Sequence, residues 1–186
     1  GAQVEALPYA TSYIPTSGNI ETRNSDLCTS GGDSDLFNDN EGVLFVETKA
    51  FADADVFNRY ITISDGGVTS PYANYIVIQY RTDGNIRVYF GGLSGTNINF
   101  VTNIDLSENH KIAFQYQSDT DNKLFIDGTE IAPYGPFVPT TLSGLNDLSF
   151  TLPYATNNTW QGRVKDFRYY DKGLTDAELT ELTTLW

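Results

Sequence analysis

The sequence predicts an all-β domain, a two-sheet antiparallel sandwich closed by one short C-terminal helix. Three observations predict it. Apolar runs of strand length, rich in Ile, Val, Tyr and Phe, recur about every dozen residues with Gly, Asp and Pro between them. Two Asp-Gly pairs interrupt such runs at the spacing of tight hairpins. Helix signals occur in one place only, after Gly173.

The elements follow in order. Residues 1–19 read as a linker or the end of a preceding domain, because Pro8 and Pro15 break regular structure among Ser, Thr and Gly. Residues 20–186 read as the sandwich. The run from Gly42 to Ala50 has the length and β-branched content of a buried strand. Arg59 to Ser64 is a strand that ends at the turn signal Asp65-Gly-Gly. Tyr75 to Tyr80 and Asn85 to Phe90 flank Thr82-Asp-Gly, and Asp-Gly supplies the positive φ angles of a tight turn. His110 to Tyr116 is the next strand. Lys123 to Ile131 is a second hairpin around Asp127-Gly. Asp147 to Leu152 and Arg163 to Tyr170 complete the strands. After the turn Asp171-Lys-Gly, Thr175 stands three residues before Glu178, which makes a capping box. Leu179 and Leu182 then share one helical face, with Leu174 as the staple partner.

Composition narrows the function. The chain has 186 residues, enough for one large domain with a real core. Its net charge of −13 argues against nucleic acid, whose phosphates need a basic surface. No run of ~18 apolar residues exists, so the sequence predicts no membrane insertion by a helix. The lone Cys28 cannot form an intrachain disulfide. The first residue is Gly, so the chain reads as part of a longer, multidomain protein.

The strand, turn and capped helix from Trp160 to Leu182 resemble the closing segment of laminin-G-like, concanavalin A-like jelly-roll domains. Asn109 to Tyr116, followed by Lys123-Leu-Phe-Ile-Asp-Gly, resembles the same family's strand and Asp-Gly hairpin. The resemblance spans about residues 24–186 and implies a jelly roll that binds glycans or other extracellular ligands. Separately, Ala10-Thr-Ser-Tyr-Ile-Pro-Thr-Ser-Gly resembles a segment recurrent in bacteriophage tail and other virion proteins.

Related glucanases set two Glu and an Asp at alternating positions of one strand, so that the carboxylates converge. No such arrangement occurs here. Glu41 and Glu47 are separated by apolar residues, Gly and nothing acidic. The single histidine, His110, sits at a strand start. The expectation is a domain that is not an enzyme. Glucanase-type sandwiches also carry an Asp before an aromatic-x-Arg-x-Tyr run that holds a structural calcium with backbone carbonyls of the N-terminal region. Asp166-Phe-Arg-Tyr-Tyr resembles that run, which implies calcium at Asp166.

For ligand binding, Tyr72, Asn74 and Tyr75 stand beside Pro71 at a loop-to-strand edge, and Asn157 and Trp160 stand just before the last strand. Aromatic rings stack on sugar faces and amides bond hydroxyls. These five are the candidate glycan-binding residues. The expected function is recognition of a host-surface glycan or a neighbouring virion protein by a phage tail or virion domain, located in the virion. The alternatives are an extracellular carbohydrate-binding module of a secreted bacterial polysaccharide-degrading enzyme, or a purely structural spacer.

Overall fold

The computed structural model describes residues 17–19, 31–50, 58–66, 74–92, 95–117, 122–134, 142–152, 160 and 162–185. The strands are β1 (Glu41–Ala50), β2 (Arg59–Ser64), β3 (Tyr75–Tyr80), β4 (Asn85–Gly92), β5 (Gly95–Asn103), β6 (His110–Gln117), β7 (Lys123–Ile126), β8 (Thr129–Ile131), β9 (Asp147–Ser149) and β10 (Gly162–Tyr170). One helix, α1 (Asp176–Thr183), follows. The order β10-β1-β6-β7-β8 forms sheet one, and β5-β4-β3-β2-β9 forms sheet two. Every strand pairing within them is antiparallel. The predicted two-sheet sandwich is therefore the fold observed.

Alternation decides which side chains meet between the sheets. Leu44, Val46, Ile112, Phe114 and Leu124 point inward from sheet one. Ile61, Ile63, Ile76, Ile78, Ile86, Val88 and Phe100 point inward from sheet two. β1 reads as an unbroken apolar run because its outer face is covered as well. Val43 and Phe45 lie with Ala113 and Phe125 under Leu179 of α1. A strand buried on both faces has no reason to alternate.

Both Asp-Gly pairs close hairpins, but at Thr82-Asp-Gly only Gly84 has a positive φ and the loop takes three residues, so the two-residue form is found at the second alone. Asp127 has φ 51° and Gly128 has φ 79°, the left-handed pair that a two-residue hairpin requires. Asp127 does more than turn the chain. Its carboxylate accepts from Lys111 N at 2.9 Å and meets His110 Nδ1 at 2.6 Å, while His110 Nε2 lies 2.7 Å from the Asp105 carbonyl oxygen. A carbonyl only accepts, so Nε2 carries a proton. His110 is thus a clip that joins the start of β6 to the β7–β8 turn, in keeping with its reading as a strand-start residue.

Two features were not legible beforehand. The sequence does not predict β5, since Gly95 and three Asn, residues depleted in strands, interrupt its Ile, Phe and Val. A bulge lies between Glu47 and Thr48 of β1, where Lys165 of β10 has no opposite number.

Candidate functional site

Sheet two has an outer face, and strand register places its side chains in three rows. Tyr60 of β2 lies opposite Gln79 of β3, Gln79 opposite Arg87 of β4, and Arg87 opposite Val101 of β5. The next row runs Ser149, Thr62, Val77 and Tyr89. The third runs Asp147, Ser64, Tyr75 and Gly91. Tyrosines, hydroxyls, an amide and one guanidinium thus share one surface.

The contacts within it are specific. Gln79 Nε2 donates to the Tyr60 hydroxyl at 3.2 Å. The Arg87 guanidinium lies over the Tyr89 ring, 4.4 Å from its centroid. Tyr75 meets Tyr89 edge to face at 5.9 Å. Tyr60, Tyr75, Val77, Tyr89 and Leu152 form a separate apolar cluster on this face. Two polar atoms remain unanswered: Gln79 Oε1 and Thr62 Oγ1 are buried without a hydrogen-bond partner. Gln79 is 5 % exposed, so bulk water does not compensate its oxygen. Such an atom is where an incoming hydroxyl gains most.

Arginines gather at one end of the face. Arg87 lies in the first row, and Arg81 follows β3 at the hairpin. Asp83 accepts from Arg81 Nε at 2.9 Å, and this bond is the main cause that holds the Asp83 carboxyl down at about 2. Asp147 and Asp65 mark the opposite end.

Of the five residues expected to bind a glycan, the three that are described are not gathered on one rim. Asn74 begins the approach to β3, where its N and Nδ2 donate to Asp65 Oδ2 at 3.2 and 3.3 Å. Tyr75 belongs to the outer face of sheet two, but it is 4 % exposed, packed on Tyr89 rather than open to solvent. Trp160 is a correction. It packs on the main core, edge to face with Tyr80 at 4.9 Å, because the chain at Trp160 bonds back to Phe150 and turns the ring inward. Tyr72 and Asn157 lie outside the described residues. Gln79 and Arg87, which share this face, are not singled out by the sequence because they sit inside strands. The signal that could have found them is alternation, which puts them on the face opposite Ile78 and Val88.

Sheet one carries a cavity of about 520 Å3 on its outer face, beside α1, lined among others by Phe45, Glu47, Lys111, Asp166 and Arg168. Asp166, where calcium was expected, lines this cavity with its carboxylate already paired. Asp166 Oδ2 accepts from Arg168 Nη2 at 2.5 Å, and Glu47, directly opposite, accepts from Lys165 at 2.6 Å. Among the described residues no group of three His, Cys, Asp or Glu side chains could hold a metal. The backbone carbonyls expected to complete the site belong to the N-terminal stretch, outside the described residues except for 17–19.

Comparison with known proteins agrees with this architecture. A family model described as the concanavalin A-like lectin/glucanases superfamily, laminin G type, matches residues 48–180. No curated protein sequence matches the chain. Among solved structures, the CBM40 of the Ruminococcus gnavus IT-sialidase bound to α2,3-sialyllactose has a TM-score of 0.64 at 12% identity, covering 84% of this chain and 94% of that one. Domain 4 of AbnA, a GH43 extracellular arabinanase from Geobacillus stearothermophilus in complex with arabinotriose, scores 0.61 at 15% identity, covering 82% and 70%. A SAP-like pentraxin from Limulus polyphemus scores 0.61 at 10% identity, covering 82% and 72%. At these identities the likeness is one of fold.

Proposed function

The chain belongs to the concanavalin A-like lectin/glucanases superfamily, and from that premise we propose that it is a non-catalytic carbohydrate-binding module of a protein that acts outside the cell. The observation that carries the proposal is the outer face of sheet two. It combines the buried tyrosines of this face with Gln79 and Thr62, whose buried oxygens have no partner within the protein. The hydroxyls of a sugar supply donors for those two oxygens, while Tyr60, Tyr75 and Tyr89 line the face without presenting an open ring. Two structures of similar fold were solved with an oligosaccharide, sialyllactose in one and arabinotriose in the other. Both come from carbohydrate-active enzymes, which supports the module reading over a spacer.

Asn74 and Tyr75 keep a place in this proposal, because they lie at one end of the same face; Tyr72 and Asn157, outside the described residues, stay in it as sequence expectations. A second reading, a phage tail or virion recognition domain, is supported by the Ala10–Gly18 segment, which lies outside the described residues apart from Ser17 and Gly18.

A glycan array tests the proposal. The wild-type domain is expected to bind a defined subset of glycans. Gln79→Ala is expected to lose that binding while keeping its melting temperature within a few degrees. Failure of the folded domain to bind any glycan would refute the module reading. Release of reducing ends, abolished by one carboxylate substitution, would refute its non-catalytic part.

A further inference from the structure

We propose that the cavity beside α1 is a second binding site, one that takes a ligand's primary ammonium on Glu47 in place of Lys165. It lies on sheet one and does not depend on the reading of sheet two. Its volume of about 520 Å3 is that of an ordinary small-molecule site. Three observations converge on a cation. First, Glu47 lines the cavity and is 8 % exposed. Among the described residues its carboxylate has one partner, the Lys165 ammonium at 2.6 Å. Lys165 is the residue that the bulge leaves without an opposite number, and its side chain is 70 % exposed. A buried carboxylate thus depends on a solvated ammonium hung from a bulge. Exchange for another ammonium costs little, because the new partner keeps the buried charge paired.

Second, the walls are short of positive charge. Glu47, Asp166, Glu178 and Glu181 face the cavity against Lys111 and Arg168. Arg168 is committed to Asp166, and Lys111 Nζ donates to the Thr184 carbonyl oxygen at 2.8 Å. Glu178 accepts only from the backbone N and hydroxyl of Thr175, which carry no charge. Third, Glu181 stands where local rules disfavour it. It lies in the last turn of α1, which holds no basic residue and where the helix dipole opposes a carboxylate. It is also three residues from Glu178, so two like charges share one helical face. Such conflicts on the rim of a cavity point to a ligand that relieves them. An ammonium does so: it offers three N–H donors and no acceptor, and the chain's net charge of −13 draws it in.

The test is calorimetric titration of the intact domain, in mildly acidic buffer, with tri-glucosamine, its fully N-acetylated counterpart and 1,5-diaminopentane. A free amine is expected to bind about tenfold or more tightly than the acetylated sugar, the scale of one charge-assisted hydrogen bond. Tri-glucosamine ahead of 1,5-diaminopentane assigns an amino sugar; the two alike, or in the reverse order, assign an aliphatic amine. Lys165→Ala removes the competitor and should tighten amine binding about two- to fivefold, the scale of an exposed ion pair. Glu47→Gln should weaken it about tenfold, and in that background Lys165→Ala should give no gain. A general field effect would give the same gain in both backgrounds, so the double-mutant cycle separates the two. Glu181→Gln, at an exposed position, should weaken binding about two- to fivefold. Thermal melts establish that each variant folds, and Lys165→Ala with Glu181→Gln decides the matter if Glu47→Gln does not. Equal binding of amine and acetylated sugar, no amine binding at all, or an affinity that Lys165→Ala leaves unchanged would overturn the inference. None of these results touches the reading of sheet two, which neutral glycans and Gln79→Ala test.

Discussion

Gly91 shows how a single missing side chain shapes the outer face of sheet two. A Cβ there would stand 2.8 Å from Tyr75 Cζ and 2.9 Å from its hydroxyl oxygen. The Tyr75 ring lies across the place a side chain would take, and from there it meets Tyr89. Gly91→Ala is expected to destabilise by about 1–3 kcal/mol, the cost of overpacking. Urea unfolding measures it. The loss should be less than additive with Tyr75→Ala, because the second change removes the obstructing ring. Asp83 gives a second prediction at this scale. Arg81 and then Asn85 hold its carboxyl at about 2, below the ordinary 3.8. A depressed acid contributes stability above its ordinary value and loses it as the pH falls through the folded one. The Asp83 side chain is 45 % exposed, so solvent screens most of the effect. Acid melts of Asp83→Asn should differ from wild type between about pH 4 and pH 2, with the variant losing less stability over that interval. Identical acid profiles would mean that the pair contributes nothing.

Among the elements, α1 carries a cap that is read directly from sequence. Thr175 Oγ1 accepts from Glu178 N at 3.3 Å, and Glu178 Oε2 accepts from Thr175 N at 2.8 Å. Thr175→Ala is expected to cost about 1 kcal/mol, and Thr175→Ser almost nothing. Denaturant titration of the two variants separates the hydroxyl from the methyl group. The helix matters because Leu179, fully buried, covers Phe45 and Val43 of β1. Most strands were equally legible. β2, β3 and β6 show β-branched or aromatic runs, and both Asp-Gly turns fall where the pairing places them. β5 was not legible, because Gly95 and three Asn interrupt it, and only the sheet order reveals that it lies at an edge. The candidate site was legible in kind and not in place. Aromatic and amide residues beside Pro71 drew attention to the loops, whereas the orphan oxygen of Gln79, on which the proposed function rests, lies in a strand interior. Which face an alternating strand turns to a ligand depends on the partner sheet, and sequence spacing leaves that choice open.

At the scale of the molecule, the two outer faces are unlike. Sheet one is roofed in part by α1 and edged with ion pairs, while sheet two carries the tyrosines and arginines. Calcium is testable against the ion pairs. Arg168 already neutralises Asp166, so the expected outcome is a melting temperature that EDTA leaves unchanged. Arg168→Ala frees the carboxylate and is expected to give the domain a calcium response that wild type lacks. A fall in melting temperature with EDTA in the wild type, reversed by calcium and absent in Asp166→Ala, would place the ion at Asp166.

The position of β1 in sheet one sets a timetable for the chain's synthesis. β1 lies between β6 and β10, and its residues 43–50 pair with residues 162–170. One edge of an apolar strand therefore stays open from the time residue 50 leaves the ribosome until residue 170 has followed it. At roughly 5–20 residues per second, that interval lasts several seconds to tens of seconds. During it β1 is the segment most exposed to pairing with another nascent chain. The charged residues of β10 cannot guard an edge that they have not yet reached. A bound holdase, or the charge of −13 that keeps sister chains apart, must cover the wait.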